Sequence, residues 1–237
     1  MVTGSREERL VGAFVTLADT LVAGYDVVDL LQTLIESSAQ LLDASAAGLM
    51  LADDNGELSV VAATSEESRL VEMMQLSSGN GPCLEAFATG QVVTVGDIGV
   101  EASRWPEFAA EALAQGFLSI HAVPMRLRGS VIGTLNLFRS EVGTLDESDA
   151  AAARGLADVA TIGILQERAI RESQVAREQL QNALDSRVVI EQAKGVIAQT
   201  RGLDMDSAFS ELRRHSRSSG QNLRDVAAQV VNRTLTL

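Results

Sequence analysis

Proline is nearly missing from this sequence, with 3 in 237 residues, and aromatic residues make up only 3%. So little proline leaves long helices unbroken. So few rings point to a helix-rich fold with an Ala/Leu/Val core. There is one cysteine, Cys83, which excludes an internal disulfide and any multi-cysteine zinc cluster. Two histidines, His121 and His215, leave little for a metal site, and none is expected. No apolar run reaches the roughly 18–20 residues of a membrane span. The first residues, Met1 to Arg9, turn charged at once and carry no apolar signal core. A cytoplasmic protein without membrane contact is expected.

What is present fits two modest domains. Hydrophobic residues are 46% and charged residues 22%, a globular balance rather than a disordered one. The net charge of −13 is unevenly spread. Residues 1–170 hold 9 basic and 24 acidic residues, a net of −15, while residues 171–237 hold 10 basic and 8 acidic, a net of +2. Such asymmetry suggests two modules with different partners. The only lysine, Lys194, lies in the second.

Helical periodicity runs over 5–22, with Leu10, Ala13, Phe14, Leu17, Ala18 and Leu21 on one stripe and Gly24 as the breaker. It returns over 27–42. Strands are expected at 47–52 and 58–63, joined by the turn Asp53-Asp54-Asn55-Gly56. Residues 66–76 have helical spacing. A loop follows at 77–82, then a short helix from Cys83 to Thr89 opened by Pro82, and a strand at 92–95. A helix over 105–115 precedes two long strands, 118–127 and 131–138. From about 147 a helix runs on to about 200. Fifty residues at 1.5 Å each span roughly 75 Å, more than a small domain can cover. Along it Val159, Ile162, Ala169, Ala176, Leu180, Ala183 and Ile190 lie on an imperfect seam that Gln166, Ser173 and Arg187 interrupt. Two readings stay open: pairing with a second copy, or a plain surface helix. Short helices over 204–216 and 221–234 complete an all-α module.

In that module the string Ser186-Arg187-x-x-Ile190-Glu191-Gln192-Ala193-Lys194-Gly195 is distinctive. With Gly202, Ala208-Phe209, Leu212-Arg213 and Leu223-x-x-Val226-Ala227 it resembles the ANTAR family of RNA-binding transcription antiterminators over about 176–234. His215-Ser216 departs from the family's usual small apolar residue there. The resemblance implies binding of paired stem-loops in leader RNA, favouring an antiterminator over the competing terminator hairpin. The residues suited to that task are Arg187, Ala193, Lys194, Gly195, Arg213, Arg214 and Arg217. Small Ala193 and Gly195 allow close approach, Lys194 offers a charge with little around it, and the arginines suit phosphates and unpaired bases. Phe209, Leu212, Leu223 and Val226 are expected in the core.

Upstream, Gly81-Pro82-Cys83-x-x-Ala86-Phe87-x-x-Gly90, Arg104-Trp105-Pro106-x-Phe108, His121-Ala122-Val123-Pro124-Met125 and Gly129 to Phe138 resemble a GAF domain over 27–140. The resemblance implies an α+β fold, an antiparallel sheet with flanking helices, joined by the long helix to the three-helix ANTAR module. The expected domains are 1–170 and 171–237. A GAF pocket would lie between the sheet and the helices inserted at 71–121. Met73, Met74, Phe87, Trp105, Phe108, Phe117 and His121 are the candidate lining residues. His121 has three readings: ligand donor, haem ligand, or hydrogen-bonded structural histidine. Strand alternation places it with Ser119 and Val123. Cys83 is read as packing or as a redox thiol; nothing nearby in sequence lowers its pKa.

No catalytic triad, phosphate loop or pair of catalytic carboxylates is apparent, so neither enzymatic activity nor a cofactor is expected. The expected protein is a signal-responsive antitermination regulator, built as a homodimer. Its GAF domain senses an unknown small molecule or only dimerises. The alternative is a GAF-based redox or small-molecule sensor whose helical end binds DNA or a protein.

Overall fold

The computed structural model of the chain describes residues 6–20 and 27–237. Leu21, expected on the apolar stripe of the first helix, and Gly24, expected to end it, lie outside the described residues. The chain forms two compact units, Met1–Glu167 and Arg168–Leu237.

The first unit starts with helices α1 (Arg6–Thr20) and α2 (Val27–Leu41), then strands β1 (Ala46–Ala52) and β2 (Leu58–Ala63). Helices α3 (Glu66–Ser78) and α4 (Pro82–Thr89) follow, then β3 (Val93–Val95), α5 (Pro106–Ala114), β4 (Ser119–Leu127) and β5 (Ser130–Arg139). The strands form one sheet in the order β2-β1-β5-β4-β3, with every pair antiparallel. The expected loop at 77–82 is shorter than the sequence suggests. α3 continues to Ser78, where Gly79 closes it at φ 68°.

Helices cover both faces of this sheet, so its middle strands read as apolar runs rather than as an in–out alternation. β1 is buried at all seven positions. On one face Leu49, Leu51, Val123, Leu135 and Leu137 pack against Leu30, Leu34 and Ile35 of α2, Leu17 of α1, and Leu156 and Ala160 from the start of α6 (Glu147–Arg201). On the other face Ala46, Met50, Ile120, Ala122 and Phe138 meet Val71 of α3, Cys83 and Ala86 of α4, and Phe108, Ala109 and Ala112 of α5. Each fully buried Leu or Ile contributes about 1.5–3 kcal/mol to holding these layers.

α6 is one continuous helix of 55 residues. Asp146 starts it, its side chain accepting the amide of Asp149 at 2.7 Å. The second unit holds the rest of α6 with α7 (Met205–Ser219) and α8 (Leu223–Val231). Asp204 caps α7 through the amides of Asp206 and Ser207, and Asn222 caps α8 through that of Arg224. The small core joining the three helices is Ala193, Ile197, Ala208, Leu212, Val226, Ala227 and Val230.

Candidate functional site

In the second unit, the residues expected to meet RNA separate into exposed, paired and buried ones. Arg187, Gly195, Arg213, Arg214 and Arg217 are exposed. Arg213, Arg214 and Arg217 line a shallow concave surface on α7 with Ser210 and Ser218. Ala193 is a correction: it is fully buried in the three-helix core with Ile197, Leu212 and Val226, out of reach of a ligand. Gly195 differs, since a Cβ added there would meet nothing within 4 Å. A mid-helix glycine costs about 1 kcal/mol relative to alanine, and no packing among the described residues requires this one.

Lys194 is not the charge with little around it that the sequence suggests. Its side chain is 14% exposed, and its ammonium is held by both carboxylate oxygens of Glu191, at 2.9 and 3.0 Å. The same ammonium lies 5.5 Å from the centre of the Phe209 ring, and the Arg213 guanidinium lies 5.6 Å from it. Phe209 was expected in the core. It is only partly buried and stands outside the core cluster, at the edge of the apolar stripe of α7. An aromatic ring with two cations close to it is thus presented on the basic side of this unit. Glu211 pairs with Arg214 at 2.9 Å and with Arg201 at 3.7 Å. Among the described residues Arg187, Arg213 and Arg217 have no ion-pair partner.

In the first unit, the expected pocket residues do not share one cavity. Trp105, Phe108 and Phe117 are buried in the layer under α3, α4 and α5. Trp105 meets Phe108 edge-on at 6.3 Å, and Phe117 meets Phe138 at 4.9 Å. Phe87 and Met74 are half-buried, and Met73 is 51% exposed and lines nothing in this layer. His121 is corrected too. Its β4 side pairs it with Leu137, so it belongs to the opposite face, toward α6, away from Trp105 and Phe108. Its Nδ1 is 2.7 Å from the Thr94 hydroxyl. Burial, followed by the Arg154 charge, pushes its pKa down to about 4. That is the structural-histidine arrangement, with a neutral ring.

Cys83 is fully buried, and burial followed by the nearby Glu72 carboxyl raises its pKa well above the usual thiol range. It therefore stays a thiol, which disfavours the redox reading. Gln75 holds it: the side-chain carbonyl accepts the Cys83 amide at 2.9 Å, and the side-chain amide lies 3.1 Å from its sulfur.

Around it lies a polar set that sequence reasoning missed. Glu72, Gln75, Thr134 and Asn136 are all fully buried. Asn136 donates to Glu72 Oε1 at 2.6 Å. Burial pushes the Glu72 pKa up to about 8, against the lowering effect of that hydrogen bond. The available signal was periodicity: Ser68, Glu72 and Gln75 fall on the same helical stripe as Val71, and Thr134 and Asn136 alternate in phase with Phe138.

The sequence model of the GAF domain family matches residues 25–165, and that of the ANTAR domain matches residues 178–231. No curated protein matches the chain. Among solved structures, free methionine-R-sulfoxide reductase from Neisseria meningitidis in complex with its substrate is 21% identical. That match covers 70% of this chain and 91% of that one, with a TM-score of 0.54. The GAF domain of a phosphoenolpyruvate-protein phosphotransferase from Coxiella burnetii is 18% identical, covering 71% and 99%, with a TM-score of 0.55. That of the Acinetobacter phosphoenolpyruvate-protein phosphotransferase is 16% identical, covering 70% and 98%, with a TM-score of 0.54. At these identities the likeness is one of fold. Both matched domain types are regulatory, ANTAR as an RNA-binding antitermination domain and GAF as a sensory one. By the extent of the first match, and with the second following it in order, the chain belongs to the GAF domain family and carries an ANTAR domain after it.

Proposed function

We propose that this protein is a cytoplasmic, non-catalytic transcription antitermination regulator, with its domains divided near residue 170. Its ANTAR domain binds paired stem-loops in leader RNA, and its GAF domain is the sensory or dimerisation module. The observation that carries the reading is the partly buried Phe209 ring with Lys194 and Arg213 at 5.5 and 5.6 Å from it, on the same helix as the unpaired Arg217. A cation reaches a phosphate, and a ring offers a stacking face to a base that a loop has splayed out. Duplex DNA keeps its bases stacked and has no use for such a ring.

The acting species in this reading is a homodimer. Between residues 171 and 185 of α6 every residue is exposed, and Leu180, Leu184 and Val188 are 64%, 51% and 56% accessible. Ala169, Ala176, Ala183 and Ile190 recur every seven residues, and Leu180 fills a position between them. In a parallel in-register pair, Glu172 of one helix meets Arg177 of the other, five residues on, with opposite charge. A second copy also brings a second basic surface to a two-loop RNA.

The test is affinity for a paired stem-loop RNA and for duplex DNA of equal length at matched salt. Tighter RNA binding that falls roughly five- to hundredfold in Phe209→Leu supports the reading, the span expected for losing one stacked base at about 1–3 kcal/mol. Equal affinity for the two nucleic acids, or DNA preference, overturns it.

A further inference from the structure

The buried polar set in the first unit is costly, and part of it goes unmet within the fold. A carboxyl, two amides and a hydroxyl occupy positions on the sheet face under α3 and α4 where apolar side chains would pack. The backbone makes room for them. Gly48 on β1 lies against the Glu72 carboxylate, and Gly81 against the Gln75 amide, and a Cβ at either position would overlap those groups. Gln75 is fully used by Cys83. Three atoms in the set are not used: Glu72 Oε2, Asn136 Oδ1 and Thr134 Oγ1 are buried without a hydrogen-bond partner. Buried polar atoms are nearly always hydrogen-bonded, so three orphans on one face of the sheet call for a missing partner.

We propose that these three atoms are the recognition site for a small ligand bearing a cationic N–H donor head, an ammonium or amidinium group. The proposal rests on the sensory reading of the GAF domain and names the chemistry sensed. Asn136 has committed its amide nitrogen to Glu72 Oε1, which leaves its carbonyl oxygen free to accept. Glu72 Oε2 is the second acceptor, and the Thr134 hydroxyl serves in either sense. Two such acceptors, on side chains hydrogen-bonded to each other, repel a carboxylate or a phosphate and receive a donor pair. An amidinium presents such a pair in one plane, matching a carboxylate edge. It also supplies the counter-charge the buried acid lacks. Until then Glu72 keeps its proton, in line with its raised pKa.

Trp105 and Phe108 of the same apolar layer also line a cleft of about 120 Å³, together with Ser78, Asn80, Pro106 and Glu107. It lies beside the α3–α4 link, where Gly79 at φ 68° and Gly81 at φ 155° flank Asn80. Two such glycines let that link change course without side-chain clashes.

The experiment uses the full chain and three probes of one shape and different charge: acetamidinium, acetamide and acetate, each up to about 20 mM at constant ionic strength. Four heavy atoms at no more than about 1.5 kcal/mol each set millimolar to high-micromolar affinity as the range to search. The expected result is a saturable rise in melting temperature with acetamidinium alone, lost or weakened at least tenfold in Glu72→Gln and in Thr134→Val. Both variants are near-isosteric, and far-UV circular dichroism checks that each is folded. Binding of acetate or acetamide as strong as that of acetamidinium overturns the proposal. So does retention of binding in Glu72→Gln, or the absence of any saturable effect. Stem-loop RNA affinity is measured with and without acetamidinium in the same series. Binding at Glu72 that leaves RNA affinity unchanged keeps the site and removes the sensory role.

Discussion

Gly48 of β1 and Glu72 of α3 are fitted to each other: the glycine's missing side chain is the space the carboxylate fills. Gly48→Ala forces the carboxylate off its Asn136 hydrogen bond, or α3 off the sheet. A loss of about 1–3 kcal/mol is expected, the usual cost of overpacking a tight core. In a Glu72→Ala background the same change should cost much less. Urea unfolding of the two single variants and the double variant checks this; additive losses would mean that the two positions are independent.

Glu72 also sets a pH dependence with a definite sign. Its folded pKa of about 8 lies above the usual 4.5. Between those values the unfolded chain ionises while the folded chain keeps its proton, so stability falls as pH rises. The loss accumulates to roughly 4 kcal/mol by pH 8. His121 acts oppositely. Its pKa is lowered to about 4 from 6.5, so its contribution is present above pH 6.5 and is lost as pH falls toward 4, to about 3 kcal/mol. The two slopes oppose each other between about 4.5 and 6.5, and only the Glu72 decline operates above. Stability measured at pH 6.5 and 8 should therefore drop in the native protein and stay nearly level in Glu72→Gln. In His121→Gln the decline should begin lower, near pH 4.5.

How far the sequence discloses these features depends on what each periodicity encodes. The turn at Asp53–Gly56, Pro82 opening α4 and Gly90 closing it lie where local chemistry puts them. The period of two correctly groups Ser119, His121 and Val123. It cannot say which helix layer that group faces, because helices cover both faces of the sheet. His121 was therefore expected against the wrong layer. Phe209 and Ala193 fail for a related reason. A helical stripe has edges, and an aromatic at the edge reads like one at the centre. A small residue reads equally as a docking point and as core. Glu72 and Asn136 are polar letters in apolar frames, and only the folded chain brings them together.

The exposed stretch of α6 predicts the assembly. Leu180→Lys with Leu184→Lys should shift the protein from dimer to monomer in sedimentation equilibrium at micromolar concentration. The folding of the first unit should not change, since both side chains are more than half exposed. A native protein that is monomeric at that concentration would remove the dimer from the reading.

The charge division predicts where nucleic acid affinity resides. Residues 171–237, with a net of +2 and a core of their own, should be helical when expressed alone and should retain RNA binding. Residues 1–170, with a net of −15, should bind no RNA at 0.15 M salt. RNA affinity that stays with the larger fragment would reverse the assignment.

Lys194 and Glu191 supply the sharpest test of the RNA face. The ammonium that would meet a phosphate is already held by a carboxylate three residues back, over the Phe209 ring. Lys194→Ala removes the cation and leaves Glu191 unneutralised beside the RNA. Affinity for a paired stem-loop should fall, and the slope of log affinity against log salt should shrink by about 0.7–0.9, the loss of one phosphate contact. Alanine is favourable in a helix and the pair is open to solvent at Glu191, worth about 1 kcal/mol, so folding should hold, with circular dichroism as the check. Glu191→Gln is the converse. It frees Lys194 and deletes a negative charge, so affinity should rise, on the order of threefold at low salt, with the gain fading as salt screens it. The two variants moving in opposite directions would place the ammonium on the RNA. Unchanged affinity in both would mean that the Glu191–Lys194 pair only steadies α6 and that the arginines of α7 meet the RNA without it.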